Sequence, residues 1–150
     1  MIRVLIVDDS AEVRIALKRI IQTTADIEIG DEAANGMEAL GKVEQEDWDV
    51  VLLDICLPDI SGFEVLRQIK RQKPDMPVLM VSQHSEESFS AEAVRFGASG
   101  YLTKDRSCSQ LAIAIRTVSA GEQYLSSVTA EQSDSKDEAN LNPATKSIPI

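Results

Sequence analysis

Three short β-branched or aliphatic runs punctuate the chain, Arg3 to Val7 (apolar from Val4), Val50 to Leu53 and Val78 to Val81. Unbroken aliphatic runs of this length are what a parallel strand shows when it is buried on both faces. Ile27 to Ala33 and Ser99 to Leu102 are weaker candidates of the same kind. Helical spacing fills the intervals. Val13, Ala16, Leu17, Ile20 and Ile21 repeat at three and four residues behind Ser10 or Asp9 as the cap. Gly36 to about Gln45 follows, with Met37, Leu40 and Val43 on one face. Ser61 with Glu64 gives a capping-box pattern ahead of Phe63, Leu66 and Ile69. About Glu86 to Phe96 stops at Gly97, and Ser109 to Ala120, carrying Leu111, Ile115 and Val118, ends at Gly121. Strand and helix therefore alternate five times, which predicts an α/β fold: a doubly wound, five-stranded parallel sheet with five helices on its two faces. Ligands of such sheets bind beyond the carboxyl ends of the strands.

Composition narrows the function. The 150 residues hold 25 acids against 15 lysines and arginines, a formal charge of -10. That balance disfavours a nucleic-acid backbone as principal ligand. No apolar run approaches the length of a membrane span, and two acids close the short apolar N-terminal stretch where a signal peptide would continue. Two cysteines, Cys56 and Cys108, are too few for a disulfide framework or a zinc cluster. A soluble cytoplasmic protein without membrane contact is expected. Beyond Leu125 the chain turns polar, so residues 1–125 are expected to form the domain and 126–150 a flexible tail or linker. A short helix near Thr129 to Ala139 is the alternative there.

Candidate chemistry lies at the strand ends. The first strand ends in Asp8-Asp9 and the third in Asp54. Carboxylates at the tips of neighbouring parallel strands converge, at an electrostatic cost that a cation relieves. An all-oxygen cluster with few protein ligands favours Mg²⁺. The plainer alternative leaves Asp8 and Asp9 as helix caps and Asp54 as a strand end. Ser82 closes the fourth strand and Lys104 follows the fifth, at the same end of the sheet. A hydroxyl, an ammonium and a metal around one carboxylate form a phosphoryl-binding constellation in which Asp54 is the nucleophile.

The segments VLIVDDS at 4–10, VVLLDICLPDISGFEVL at 50–66, PVLMVS at 77–82 and GASGYLTKD at 97–105 resemble the receiver domains of two-component response regulators. The stretch LTKDRSCSQLAIAIRTVSAGEQYLS is most similar to the NarL/FixJ class. The resemblance implies a flavodoxin-like strand order 2-1-3-4-5 and a Mg-dependent phosphoacceptor rather than a classical enzyme. It implies Asp54 as the acceptor, Asp8, Asp9, Asp54 and the Cys56 main-chain carbonyl as Mg²⁺ ligands, Ser82 as the switch hydroxyl, Lys104 as the phosphate-binding lysine and Tyr101 as the switch aromatic. Pro58 and Gly62 match the turn after the acceptor strand. A histidine kinase or phosphotransfer protein is the implied phosphoryl donor, with homodimerisation on phosphorylation. Gln83 departs from the small or apolar residue usual beside the acceptor and is expected to gate access to Asp54. The acidic chain offers no recognition helix after Leu125, so direct DNA binding by this chain is not expected.

Other classes fit less well. A haloacid dehalogenase-type phosphatase needs a DxD arrangement after its first strand, and a flavodoxin-type FMN carrier needs a phosphate loop where this chain has two carboxylates. His84 is expected in a loop with no ligand role, Trp48 at the entry to the third strand, and Cys56 as a small buried hydrophobe.

Overall fold

In a computed structural model, residues 1–84 and 86–125 are described; the expectations for 126–150 lie outside them. The strands are β1 (Ile2–Val7), β2 (Ile27–Ala33), β3 (Val50–Leu53), β4 (Val78–Ser82), β5 (Gly100–Thr103) and β6 (Tyr124–Leu125). The helices are α1 (Ala11–Gln22), α2 (Gly36–Gln45), α3 (Gly62–Gln72), α4 (Glu86–Arg95) and α5 (Ser107–Ser119). All strand pairs are parallel, in the order β2-β1-β3-β4-β5-β6. The predicted order holds for the first five. A sixth, two-residue strand extends the edge, where Tyr124 and Leu125 pair with Gly100 and Tyr101. Two residues are too few to carry a periodicity, which is why the sequence pattern hides it.

The continuous apolar runs are explained by the two cores they serve. Leu5, Val7, Val51, Leu53, Val78, Met80 and Tyr101 face one side, against Leu40, Val43, Val65, Leu66 and Ile69. Their alternates Val4, Ile6, Val50, Leu52, Leu79, Val81 and Leu102 face the other, against Leu17, Ile21, Leu111, Ile115 and Val118. Successive strand residues point to opposite faces, so a sheet covered on both sides needs an apolar residue at every position.

Helix ends follow local chemistry. Ser10 caps α1, its side chain accepting from Val13 N at 3.2 Å. Gly97 and Gly121 lie at positive φ just past α4 and α5, as the sequence predicts. The Ser61–Glu64 capping box is only half formed. Ser61 accepts from Phe63 N at 3.1 Å, while Glu64 engages Arg67 and Gln68 along the helix surface. Glu64 thus stabilises the first turns by side-chain pairing instead of returning to the cap. Trp48 is buried at the entry to β3, with its Nε1 donating to the Lys42 carbonyl and Arg3 stacked over its ring.

Candidate functional site: an acidic cluster with one lysine

Register brings the acids together. Val7 pairs with Leu53 across β1 and β3, and the ladder continues one step beyond, with Asp54 N donating to the Val7 carbonyl at 3.0 Å. Asp8 and Asp54 therefore leave adjacent strand tips side by side. Ligand oxygens of Asp8, Asp9 and Asp54 lie within 4.8 Å of one another. Asp8 and Asp54 are only 2% and 5% exposed, whereas Asp9 faces solvent.

Lys104 enters from the end of β5. Its Nζ stands 2.9 Å from Asp8 Oδ2 and 3.4 Å from Asp54 Oδ2. Asp8 is further fixed by Ser10 N donating to its Oδ1 at 2.9 Å and by Arg14 donating to its carbonyl at 2.6 Å. The cap of α1 is Ser10, so neither Asp8 nor Asp9 is consumed as the N-cap, and both remain with the cluster.

Burial, and after it the charge of Asp8, pushes the Asp54 carboxyl above its ordinary range, against the opposing pull of Lys104 and the Cys56 N–H. Burial would lower Lys104, but its hydrogen bond to Asp8 and the two nearby carboxylates outweigh that and hold its pKa above the usual value. The ammonium stays charged. Three carboxylates against one ammonium leave two negative charges uncompensated in a mostly buried space, the deficit a single divalent cation would offset. All donors are oxygen, so the cluster suits a hard cation.

Around this core stand the remaining predicted residues. Ser82 is fully buried, pairs with Thr103 across β4 and β5, and its Oγ accepts from His84 N at 3.2 Å. Tyr101 is likewise fully buried, and its hydroxyl donates to the His84 carbonyl at 3.1 Å. The tyrosine points inward in this structure. Gln83 is exposed, one residue past Ser82. Cys56 corrects an expectation: its side chain is exposed rather than buried, with Sγ 3.6 Å from His84 Nε2. The residue lies past the end of β3, in the loop that leaves the sheet, where strand alternation no longer turns it inward.

Two contributors escape a reading of the sequence. Asp59, in the loop after β3, accepts from Gly36 N and Met37 N at 2.8 and 2.9 Å and from Ile60 N, tying that loop to the start of α2. Hydrogen bonds from the Gly36 and Met37 amides hold its carboxyl below the ordinary range. His84, placed as expected in the loop after β4, joins Ser82, Tyr101 and Cys56. Both roles depend on loops distant in sequence meeting in space, and nothing local signals them.

A family model described as the response regulator receiver domain matches residues 4–134. The chain belongs to the response regulator receiver domain family. Curated relatives include the response regulator GacA of Pseudomonas viridiflava, 37% identical over 132 residues, which are 88% of this chain and 62% of that protein. The response regulator UvrY of Escherichia coli K12 is 36% identical over 132 residues, 88% of this chain and 61% of the relative. The receiver chain thus spans under two thirds of the length of these relatives. Among solved structures, a LuxR-family two-component response regulator from Aurantimonas sp. SI85-9A1 superposes with TM-score 0.81 at 30% identity, covering 89% of this chain and 95% of that one. The response regulator domain of Thermotoga maritima CheB gives TM-score 0.75 at 34% identity, covering 80% and 97%. The LuxR-family neighbour and the GacA and UvrY relatives agree with the NarL/FixJ-class likeness of the C-terminal segment. No helix among the described residues is long and apolar enough to cross a membrane.

Proposed function

We propose that this receiver is a phosphorylation-controlled switch in which Asp54 takes a phosphoryl group from a histidine kinase or phosphotransfer protein. The observation that carries the reading is the convergence of Asp8, Asp9 and Asp54 with Lys104, two negative charges in excess, at the carboxyl ends of β1, β3 and β5. In this reading Mg²⁺ would be held by the carboxylates of Asp8, Asp9 and Asp54 and by the Cys56 main-chain carbonyl. When bound, the ion supplies positive charge for the phosphoryl oxygens and for the acidic cluster.

The protein groups divide the remaining work. A carboxylate oxygen of Asp54 attacks phosphorus as the phosphorus–nitrogen bond to the donor imidazole breaks, and the electron pair of that bond returns to the ring nitrogen. Lys104 offers its ammonium to the incoming phosphoryl oxygens, and the Ser82 hydroxyl donates a hydrogen bond to one of them. When Ser82 turns to the phosphoryl group it gives up the His84 N–H, and that change passes to Tyr101 through the His84 carbonyl. In this reading exposed Gln83, one residue past Ser82, is the access gate to Asp54. The switch is a shift between two packings, needing only a few kcal/mol of differential interaction.

The same reading makes the protein a cytoplasmic signalling component that assists its own phosphorylation and dephosphorylation, with residues 1–125 as the receiver and 126–150 as a tail or linker. Its output runs through protein contacts, including a homodimer formed on phosphorylation. The formal charge of -10 disfavours direct DNA contact by this chain.

The ion supplies the test. Replacing Asp9 by Ala should weaken Mg²⁺ binding at least tenfold and slow modification by acetyl phosphate in parallel. Titration followed by the fluorescence of Trp48 or by NMR shifts measures the first, and the rate of adduct formation the second. Unchanged Mg²⁺ affinity in Asp9→Ala would refute the metal assignment.

A further inference from the structure

His84 is the one histidine of the chain, and it is held from several sides. Its N–H donates to Ser82 Oγ, its carbonyl accepts from Tyr101, and its ring meets the edge of Phe89 with centroids 5.0 Å apart. Those contacts aim Nε2 at Cys56 Sγ, 3.6 Å away, on an exposed residue of the loop after β3. A tetrahedral zinc ion, with Zn–S of about 2.3 Å and Zn–N of about 2.05 Å, holds its sulfur and nitrogen about 3.6 Å apart. The two donors already stand at that separation. In the metal-free protein the same spacing lets the thiol and the imidazole share a hydrogen bond, so both are kept in place.

We propose that Cys56 Sγ and His84 Nε2 form a Zn²⁺ site at the rim of the acceptor cluster, with water completing the coordination. Binding displaces the thiol proton to solvent and changes no oxidation state. Ligand softness separates this site from its neighbour, because thiolate and imidazole select zinc whereas the carboxylates of Asp8, Asp9 and Asp54 select a hard ion. Two protein donors make the site weaker than a closed structural zinc centre. An ion there ties the loop after β3 to the loop after β4 through the residue that joins Ser82 to Tyr101. On the phosphorylation reading above, zinc is thereby a second input to the same switch. The binding itself does not depend on that reading.

The test is zinc titration of the full chain by calorimetry in excess Mg²⁺, with no phosphoryl donor present. Cys56→Ser and His84→Gln should each weaken Zn²⁺ at least tenfold, while Cys108→Ser changes it by less than twofold. Cobalt in place of zinc should give a thiolate-to-metal charge-transfer band that Cys56→Ser removes. If His84→Gln does not fold, Cys56→Ser with the cobalt spectrum decides. Equal zinc affinity in wild type and Cys56→Ser, loss of zinc in Cys108→Ser, or a cobalt complex without the thiolate band would each overturn the site. A failed phosphorylation experiment alongside intact zinc binding would instead count against the acceptor assignment alone.

Discussion

Replacing Gly62 by valine should destabilise the protein by about 3 kcal/mol, the upper end of what overpacking a well-filled interior costs. A Cβ at this position would stand 2.1 Å from the Asp54 carbonyl oxygen, 2.7 Å from Ile55 Cα and 2.9 Å from the Asp54 carbonyl carbon. All three are backbone atoms, so no side chain can rotate to make room. The approach is drawn tight by Gly62 N donating to the Ile55 carbonyl at 2.7 Å. Gly62 is therefore required by proximity and not by dihedral angle, unlike Gly97 and Gly121 with φ of 102° and 90°. The backbone that must yield carries Asp54, so Mg²⁺ affinity should fall together with stability. Urea denaturation measures the first effect. A midpoint within experimental error of wild type would mean that α3 does not press on the acceptor loop.

Asp54→Asn should have the opposite effect on stability. Burial and the neighbouring Asp8 raise the Asp54 pKa above the unfolded-chain value, so the ionised carboxylate opposes folding whenever the pH exceeds that raised value. Removing the charge should stabilise the metal-free protein at pH 7 by about 1 kcal/mol, a common size for relief of a strained functional site. The sign of the pH dependence follows from linkage. The advantage of the asparagine variant should shrink as pH falls through the raised pKa, and vanish below the ordinary Asp value of 3.8. Magnesium should reverse the order. A ligand at about a hundredfold excess over its Kd stabilises the native state by about 2.7 kcal/mol, and Asp54→Asn, with one carboxylate fewer, should gain less. Thermal unfolding with and without Mg²⁺ across this pH range checks both signs. A variant no more stable than wild type without metal, or an advantage growing toward low pH, would contradict the electrostatic description of the site.

These two residues also mark how far the sequence could be read. Asp54 was legible because an acid closing a fully apolar run must sit at a strand tip, and parallel strands place their tips together. Asp8 and Asp9 after β1, Ser82 at the end of β4 and Lys104 just past β5 were legible because each lies at the carboxyl end of a strand. The loops were not. Cys56 lies beyond β3, where period-two alternation no longer sets its direction, and its side chain turns out to solvent beside His84. The grip of Asp59 on Gly36 and Met37 joins residues 23 and 22 positions apart, a distance no local pattern spans. Glu64 matched a capping box and found better partners in Arg67 and Gln68. The burial of Tyr101 follows from its place on β5, but the partner of its hydroxyl, the His84 carbonyl, is presented by a neighbouring loop. Regular elements were decided by near-neighbour periodicity, and the remainder by contacts that exist only once the sheet has formed.

Mass spectrometry of the intact chain after incubation with acetyl phosphate and Mg²⁺ bears most directly on the central claim. One phosphoryl adduct is expected on the wild-type protein, mapping to Asp54, absent without Mg²⁺ and absent from Asp54→Asn. Equal labelling of wild type and Asp54→Asn, or an adduct that maps to another residue, would contradict the assignment of Asp54 as the phosphoacceptor.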